Sequence, residues 1–315
     1  MLQRSGAAGM KSLLPVLSVI GAILAVWVLA VVPMNMHLTA DQAQRDGLAV
    51  YPDTPAARQD YSGLGLSLRN PALIGLTYVL ERPRLPSPHQ VAAEIWKTTV
   101  GTRITSKRSL VYHGWVTLSA TLLGFAIGTG LGILLAVGIV YNRAMDMSVM
   151  PWAIASQTIP ILALAPMIIV MLGAIGIQGL LPKAIISAYL SFFPVVVGMV
   201  KGLRSPDAMQ LDLLRTYHAS ASQGFWKLRL PASVPYLFAS LKIGISASLV
   251  GAIVAELPTG ARAGFGARML VGDQYGQPLV TWAALFAAAI TAAALVGFFS
   301  AAERFTLRRM GMAAA

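Results

Sequence analysis

Few residues in this chain are placed to do chemistry. Cysteine is absent, which excludes disulfides, thiolate metal sites and a cysteine nucleophile. No His-Glu-x-x-His pair, carboxylate pair or Gly-x-x-x-x-Gly-Lys-Ser/Thr segment occurs, so neither metalloprotease chemistry nor nucleotide-phosphate binding is indicated. What remains is a set of polar side chains within long apolar stretches, suited to positioning and gating rather than bond making. Glu256 continues a stripe of Gly244, Ser248 and Ala252 at every fourth position, the spacing that gathers residues on one helix face. It stands just before Pro258 and Gly260. Two readings are open: a carboxylate near a helix end that reaches the membrane interface, or an acid on a protein-packed face lining an external gate or solute vestibule. Ser156, Gln157 and Thr158 precede Pro160, and polar groups there need other helices or a pathway as partners. Tyr189, Phe192, Phe193 and Pro194 offer aromatic faces to a planar solute, with simple packing as the alternative.

These residues are carried by membrane-spanning elements. The chain has 315 residues, 56% hydrophobic and 11% charged, against roughly a quarter charged in soluble proteins. Its formal charge of +12 alternates with apolar runs, so it reads as charged connections of a membrane protein and not as a nucleic-acid surface. Crossing a bilayer takes about 20 apolar residues, and six stretches suffice: 12–32, 115–140, 150–173, 184–200, 236–257 and 280–300. Basic residues in the short connections set the orientation. Arg143, Lys201, Arg204, Arg215, Lys227, Arg229, Arg304, Arg308 and Arg309 fall on one side with Arg4 and Lys11, against Lys183, Arg262 and Arg268 on the other. Both termini are thereby expected in the cytoplasm. A cleaved signal peptide is the alternative for the first stretch, but the run is long and no small-x-small cleavage site follows. The expected organisation is an N-terminal transmembrane helix in 1–33, a periplasmic segment 34–114, a five-helix core 115–303 and a cytoplasmic tail 304–315.

Several local signals refine this plan. Ser87-Pro88 reads as a helix start, followed by Val91, Ala92, Ile95 and Trp96 at helical spacing. That helix either lies in the outer membrane interface with Trp96 at headgroup depth or packs on its own loop outside the membrane. Gly124, Gly128 and Gly132 place a glycine at every fourth position, which admits a closely approaching helix. Pro160 and Pro166 are expected to kink the third stretch. The glycine-rich loop Gly260 to Gly276 could fold back as a re-entrant element only if protein or water satisfies its backbone.

The most informative connection is 204–235. Ser205-Pro206-Asp207 opens a helix carrying Met209, Leu213, Leu214 and Tyr217, with Asp212 three residues before Arg215. A second short helix contains Phe225, Trp226 and Leu228. So many large apolar side chains in a cytoplasmic loop need a cover, either the chain's own helices or a soluble partner.

Asp212-Leu-Leu-Arg-Thr-Tyr-His-Ala-Ser220, followed by Phe225-Trp-Lys-Leu-Arg-Leu-Pro231-Ala-Ser-Val-Pro235, resembles the coupling loop of binding-protein-dependent ABC importer permeases. Leu85-Pro-Ser-Pro88, Leu122-Leu-Gly-Phe125 and Ala163-Leu-Ala-Pro166 extend the resemblance, which runs from Leu85 to the C-terminus. It implies an all-α polytopic protein of six transmembrane helices with the type I ABC importer permease fold. It also implies ATPase docking through Asp212, Leu213, Leu214, Arg215, Tyr217, His218, Ala219 and Ser220, and a translocation pathway involving Gln157, Thr158, Tyr189, Phe192 and Glu256. His218 stands where the family has glycine, and histidine tolerates a left-handed backbone better than most residues. A titrating switch there is the alternative to a plain turn residue.

The implied partners are an ATPase subunit dimer, a second permease chain, a periplasmic solute-binding protein and membrane lipid. The chain itself is expected to carry no cofactor and catalyse nothing, ATP and Mg belonging to the ATPase. By resemblance the branch serves nitrate, sulfonates, taurine, riboflavin and pyrimidine-type compounds. Val250-Gly-Ala-Ile-Val-Ala-Glu256-Leu-Pro-Thr-Gly260, with Tyr275-Gly-Gln277 and Trp282-Ala-Ala284, is most similar to the riboflavin and pyrimidine-type members. An ion-coupled secondary transporter would show internal repeats and more charged broken helices. No repeat is evident, and Glu256 is the one acid read within the membrane stretches. A membrane enzyme would need a catalytic constellation, and none is apparent.

Overall fold

The computed structural model describes residues 5–257, 261 and 263–312, with side chains from Pro15 onward. Arg4, Pro258, Gly260, Arg262 and the Lys11 side chain therefore lie outside the described residues. Among the described residues every regular element is helical. The chain divides into two compact units, Met1–Arg103 with Met269–Ala284 and Ile104–Arg268 with Leu285–Ala315.

In the first unit α1 (Ser5–Arg45) runs beyond the expected end near Val32, with Pro33 inside it. The apolar run stops there, but amphipathic spacing takes over. Met36, Ala40 and Ala43 form one face and pack on Val50, Leu66 and Leu73. Val50 precedes α2 (Pro55–Gln59), Leu66 lies in α3 (Gly63–Arg69) and Leu73 in the 3-10 turn that follows it. Arg58 is buried here, donating to the Ala40 carbonyl at 3.0 Å and to the Gln44 side chain, with Asp41 at 3.4 Å. Ser87 begins α4 (Pro88–Thr99), its backbone N–H donating to Gln90 Oε1 at 3.1 Å, as a capping box requires.

The second unit is built on three long helices. α5 (Leu110–Tyr141) is followed by α6 (Arg143–Ser156), α7 (Ile161–Ala174) and α8 (Leu180–Leu203). The short α9 (Ala208–Thr216) and α10 (Ala221–Gly224) lead through a π-helical turn, Phe225–Arg229, into α11 (Leu230–Glu256). α12 (Phe265–Gln274) and α13 (Pro278–Arg309) complete the chain. Among the described residues five helices are long and apolar enough to cross a membrane, and α6 with α7 makes a sixth apolar segment bent by 97°. The protein is thus a multi-pass membrane protein. The break falls at Pro160, which has lost its donor and caps α7, whereas Pro166 sits inside α7 without ending it.

α5, α8 and α11 pack closely because small residues line their contacts. A Cβ at Gly124 or Gly128 would collide with Ser187 or Ser191 of α8, and one at Gly132 would meet the Phe192 carbonyl at 3.0 Å. Ser187 donates to the Ser248 carbonyl at 2.8 Å, and Ser248 donates to the Thr121 carbonyl at 2.9 Å. These bonds satisfy hydroxyls where lipid offers no partner. Cross-helix packing of Ala165, Ile186 and Ala255 sets α7 against the Glu256 end of α11 and the early turns of α8.

Candidate functional site

The loop between α8 and α11 folds as two short capped helices. Asp207 caps α9, and its backbone N–H donates to Gln210 Oε1 at 3.2 Å. α9 ends in a Schellman turn: His218 N–H donates to the Arg215 carbonyl and Ala219 N–H to the Leu214 carbonyl, both at 2.9 Å. His218 adopts φ 51°, so the left-handed position is real and histidine fills the role usually given to glycine. Ser220 caps α10, accepting from the Gln223 N–H at 3.3 Å.

Which side chains this geometry exposes was not evident from sequence. Met209, Leu213 and Tyr217 recur every fourth residue and stand 83%, 56% and 76% exposed. Leu214 is half-buried and turns toward Gly224. Asp212 and Arg215 pair at 2.9 Å on the exposed side, where Ser220 also lies, and Ala219 is half-buried. Phe225 and Trp226 meet edge-on at 5.1 Å but differ in exposure. Phe225 packs into the cluster of Ile139, Met199 and Leu203, edge-on to Tyr141, while Trp226 remains exposed. Arg229 anchors the loop's far end, donating to the Leu203 carbonyl at 2.8 Å.

At the opposite end of α11, Glu256 is wholly buried. The interfacial reading therefore fails: the small-residue stripe carries this carboxylate into the packing between α5, α8 and the start of α12. Thr117 Oγ1 lies 3.0 and 2.9 Å from its two oxygens, the Gly266 N–H donates at 3.0 Å, and Lys183 Nζ is 3.4 Å away. Lys183 also donates to the Ala263 carbonyl at 3.0 Å. Phe265 N–H donates to Thr117 Oγ1 at 2.8 Å, and Gly264 N–H donates to His113 Nδ1 at 3.0 Å. With Nδ1 accepting, the imidazole proton is assigned to Nε2, which donates to the Lys107 carbonyl at 2.9 Å. Gly264, at φ 126°, lies flat on the Glu256 carboxyl, and any side chain there would overlap it. Side chains of α5 and α11 thus satisfy the first N–H groups of α12, with a carboxylate at the positive helix end.

Gln157 and Thr158 lie exposed in the α6–α7 break. Tyr189 is close by, its hydroxyl donating to the Ser156 carbonyl, and its ring lies 6.1 Å from that of Phe192. Glu256 is not part of this group. Sequence reading also missed Lys242 and Glu303, paired at 2.7 Å between α11 and α13. Because α13 extends to Arg309, Glu303 is a further acid on a helix long enough to span, and lone Lys242 inside an apolar run was the available signal. His113, Thr117 and Lys183 carried no comparable signal. Among the described residues no group of three metal-binding side chains is gathered.

Residues 128–311 match the binding-protein-dependent transport system inner membrane component family. The chain belongs to this family. The permease is 32% identical to the formylaminopyrimidine transport permease protein ThiX of Halalkalibacterium halodurans, over 62% of this chain and 71% of that protein. It is 30% identical to the riboflavin transport system permease protein RibX of Chloroflexus aurantiacus, over 66% and 74%. The nitrate import permease protein NrtB of Synechocystis is 27% identical, over 64% and 72%. The permease is accordingly a membrane subunit of an ABC importer, a transport component of all-α, type I permease fold.

Proposed function

We propose that the permease moves a small heterocyclic solute, of pyrimidine or riboflavin type, from periplasm to cytoplasm, powered by ATP hydrolysis in a separate chain. Both termini lie in the cytoplasm. The names of ThiX and RibX support the solute class, and NrtB, with one relative from Bacillus subtilis named as a putative aliphatic sulfonates transport permease, makes nitrate or a sulfonate the second choice. A periplasmic binding protein delivers the solute, two permease chains enclose the path, and ATP with Mg is bound by the ATPase dimer.

One observation carries the docking assignment: Met209, Leu213, Tyr217 and Trp226 are large, apolar and exposed on a loop with an otherwise ordered, capped fold. Such a surface calls for a protein cover, and Met209, Leu213 and Tyr217, each four residues on, lie near one face of α9, as helix-in-groove docking requires. Asp212, Arg215, His218 and Ser220 form the polar rim, while Leu214 and Ala219 hold α9 against α10. Gln157, Thr158, Tyr189 and Phe192 line the path at the broken helix, since irregular backbone at membrane depth must face protein or water. Glu256 serves the path indirectly, by holding the α12 end of the loop.

The test is co-purification of the ATPase with a tagged permease. Leu213→Asp should release the ATPase and abolish ATP-dependent uptake at unchanged membrane level. Full retention of both would overturn the docking assignment.

A further inference from the structure

The segment before α4 lies along α1, bonded to it between Trp27 and Asn35. Tyr78 OH donates to the Val28 carbonyl at 3.0 Å, and Trp27 Nε1 donates to the Pro86 carbonyl at 2.9 Å. About two turns on, Asn35 Nδ2 donates to the carbonyls of Leu85 and Thr77 at 2.9 and 3.1 Å, and Leu85 N–H donates to Asn35 Oδ1 at 3.0 Å. Met34 is the last exposed large apolar side chain of α1. At 1.5 Å per residue, Trp27 lies about 10 Å inside it. Pro86, one residue before the Ser87 cap of α4, is therefore bonded to α1 within its apolar stretch. The carbonyls of Thr77, Leu85 and Pro86 are satisfied by side chains of that helix, which is the requirement for non-helical backbone beside lipid.

α4 then carries apolar residues on its exposed side as well as its buried one, with His89 and Lys97 also exposed. Its inward face holds Val91 and Thr98, both buried. Its outward face carries Ala92, Ala93, Trp96 and Val100, all exposed, with Trp96 at 68% and Val100 at 63%. Positions 92, 96 and 100 form one stripe, flanked by Lys97. This mainly apolar outward face belongs to a helix that starts next to Pro86, which is bonded within the apolar stretch of α1. Tryptophan and lysine on such a face suit the boundary between acyl chains and headgroup phosphates.

We infer that α4 is an interfacial helix, seated in the leaflet at the Asn35 end of α1, and that lipid covers Ala92, Trp96 and Val100. The inference does not depend on which side of the membrane that end occupies. It assigns residues 78–100 to the membrane surface, leaving α2 and α3 as the part of the segment not placed there by these bonds.

Because the chain lacks cysteine, single cysteines can be placed in it without background labelling. Trp96→Cys, Val100→Cys and Asp60→Cys would be spin-labelled in the full-length permease, reconstituted in phosphatidylethanolamine and phosphatidylglycerol vesicles. Collisions with oxygen report lipid, and collisions with a water-soluble nickel complex report solvent. The oxygen-to-nickel ratio at positions 96 and 100 should exceed that at exposed Asp60 several-fold. Val100→Cys retains Trp96, so a defect from removing the indole does not block the measurement. A nickel-favoured ratio like that of Asp60 would place the face in water, and shielding from both reagents would mean a protein cover; either result overturns the inference.

Discussion

Glu256→Gln tests whether the buried carboxylate holds the start of α12. The side chain keeps its shape, and one amide oxygen can still accept from Thr117. The other oxygen becomes an NH₂ facing the Gly266 N–H, now 3.0 Å from a donor instead of an acceptor. An unsatisfied buried donor costs about 1–3 kcal/mol. Lys183 also loses its counter-charge, and breaking a buried pair from one side costs about 3–5 kcal/mol. The lower end applies because Lys183 is 12% exposed, sits at 3.4 Å and keeps the Ala263 carbonyl. We expect a local loss of about 3 kcal/mol, which accelerates hydrogen exchange at Phe265 and Gly266 about a hundredfold if those amides exchange by opening of this loop. Lys183→Met should be costly too. The double variant should be less unstable than the sum by about 1–3 kcal/mol, since the two charges interact directly. Exchange at Phe265 and Gly266 within about threefold of the parent protein, or strict additivity, would refute the tether.

Four other outcomes are expected. On the docking surface, Tyr217→Ala should weaken ATPase capture by more than about 1 kcal/mol in affinity, whereas Arg215→Ala at the exposed rim should change it little, measured by titration of the purified ATPase. Since His218 occupies a left-handed position, His218→Gly should leave the permease as stable or slightly more so, while His218→Val should lower the unfolding midpoint. Gly128→Leu should prevent assembly of the bundle, because its first side-chain atom would overlap Ser191, and protease resistance in detergent should fall. For topology, a cysteine at exposed Asp53 should react with an external impermeant reagent and one at exposed Gln223 should not.

The sequence alone determined the elements whose causes are local. Long apolar runs with few charges must be membrane helices, and among the described residues five appear as such. Ser87-Pro88 and Ser205-Pro206-Asp207 open helices because capping needs only near neighbours. The glycine spacing of α5 announced a close helix contact, and Pro160 announced a break. The coupling-loop pattern around Asp212 indicated the family because its residues are contiguous.

Tertiary structure decided whatever depends on distant residues meeting. α1 outruns its apolar stretch because Met36, Ala40 and Ala43 find Leu66 and Leu73, partners that no hydropathy window contains. Leu213 is exposed and Leu214 half-buried although they are adjacent and identical, since α10 covers only one side of α9. Lys242 and Glu303 meet across 61 residues, and Thr117 meets Glu256 across 139. Sequence could mark Glu256 as an acid on a packed stripe, but its partners were fixed only when α5, α8 and α11 closed around it. A carboxylate in a membrane helix can be gate, tether or interfacial anchor, and the choice depends on which donors the fold brings within about 3 Å.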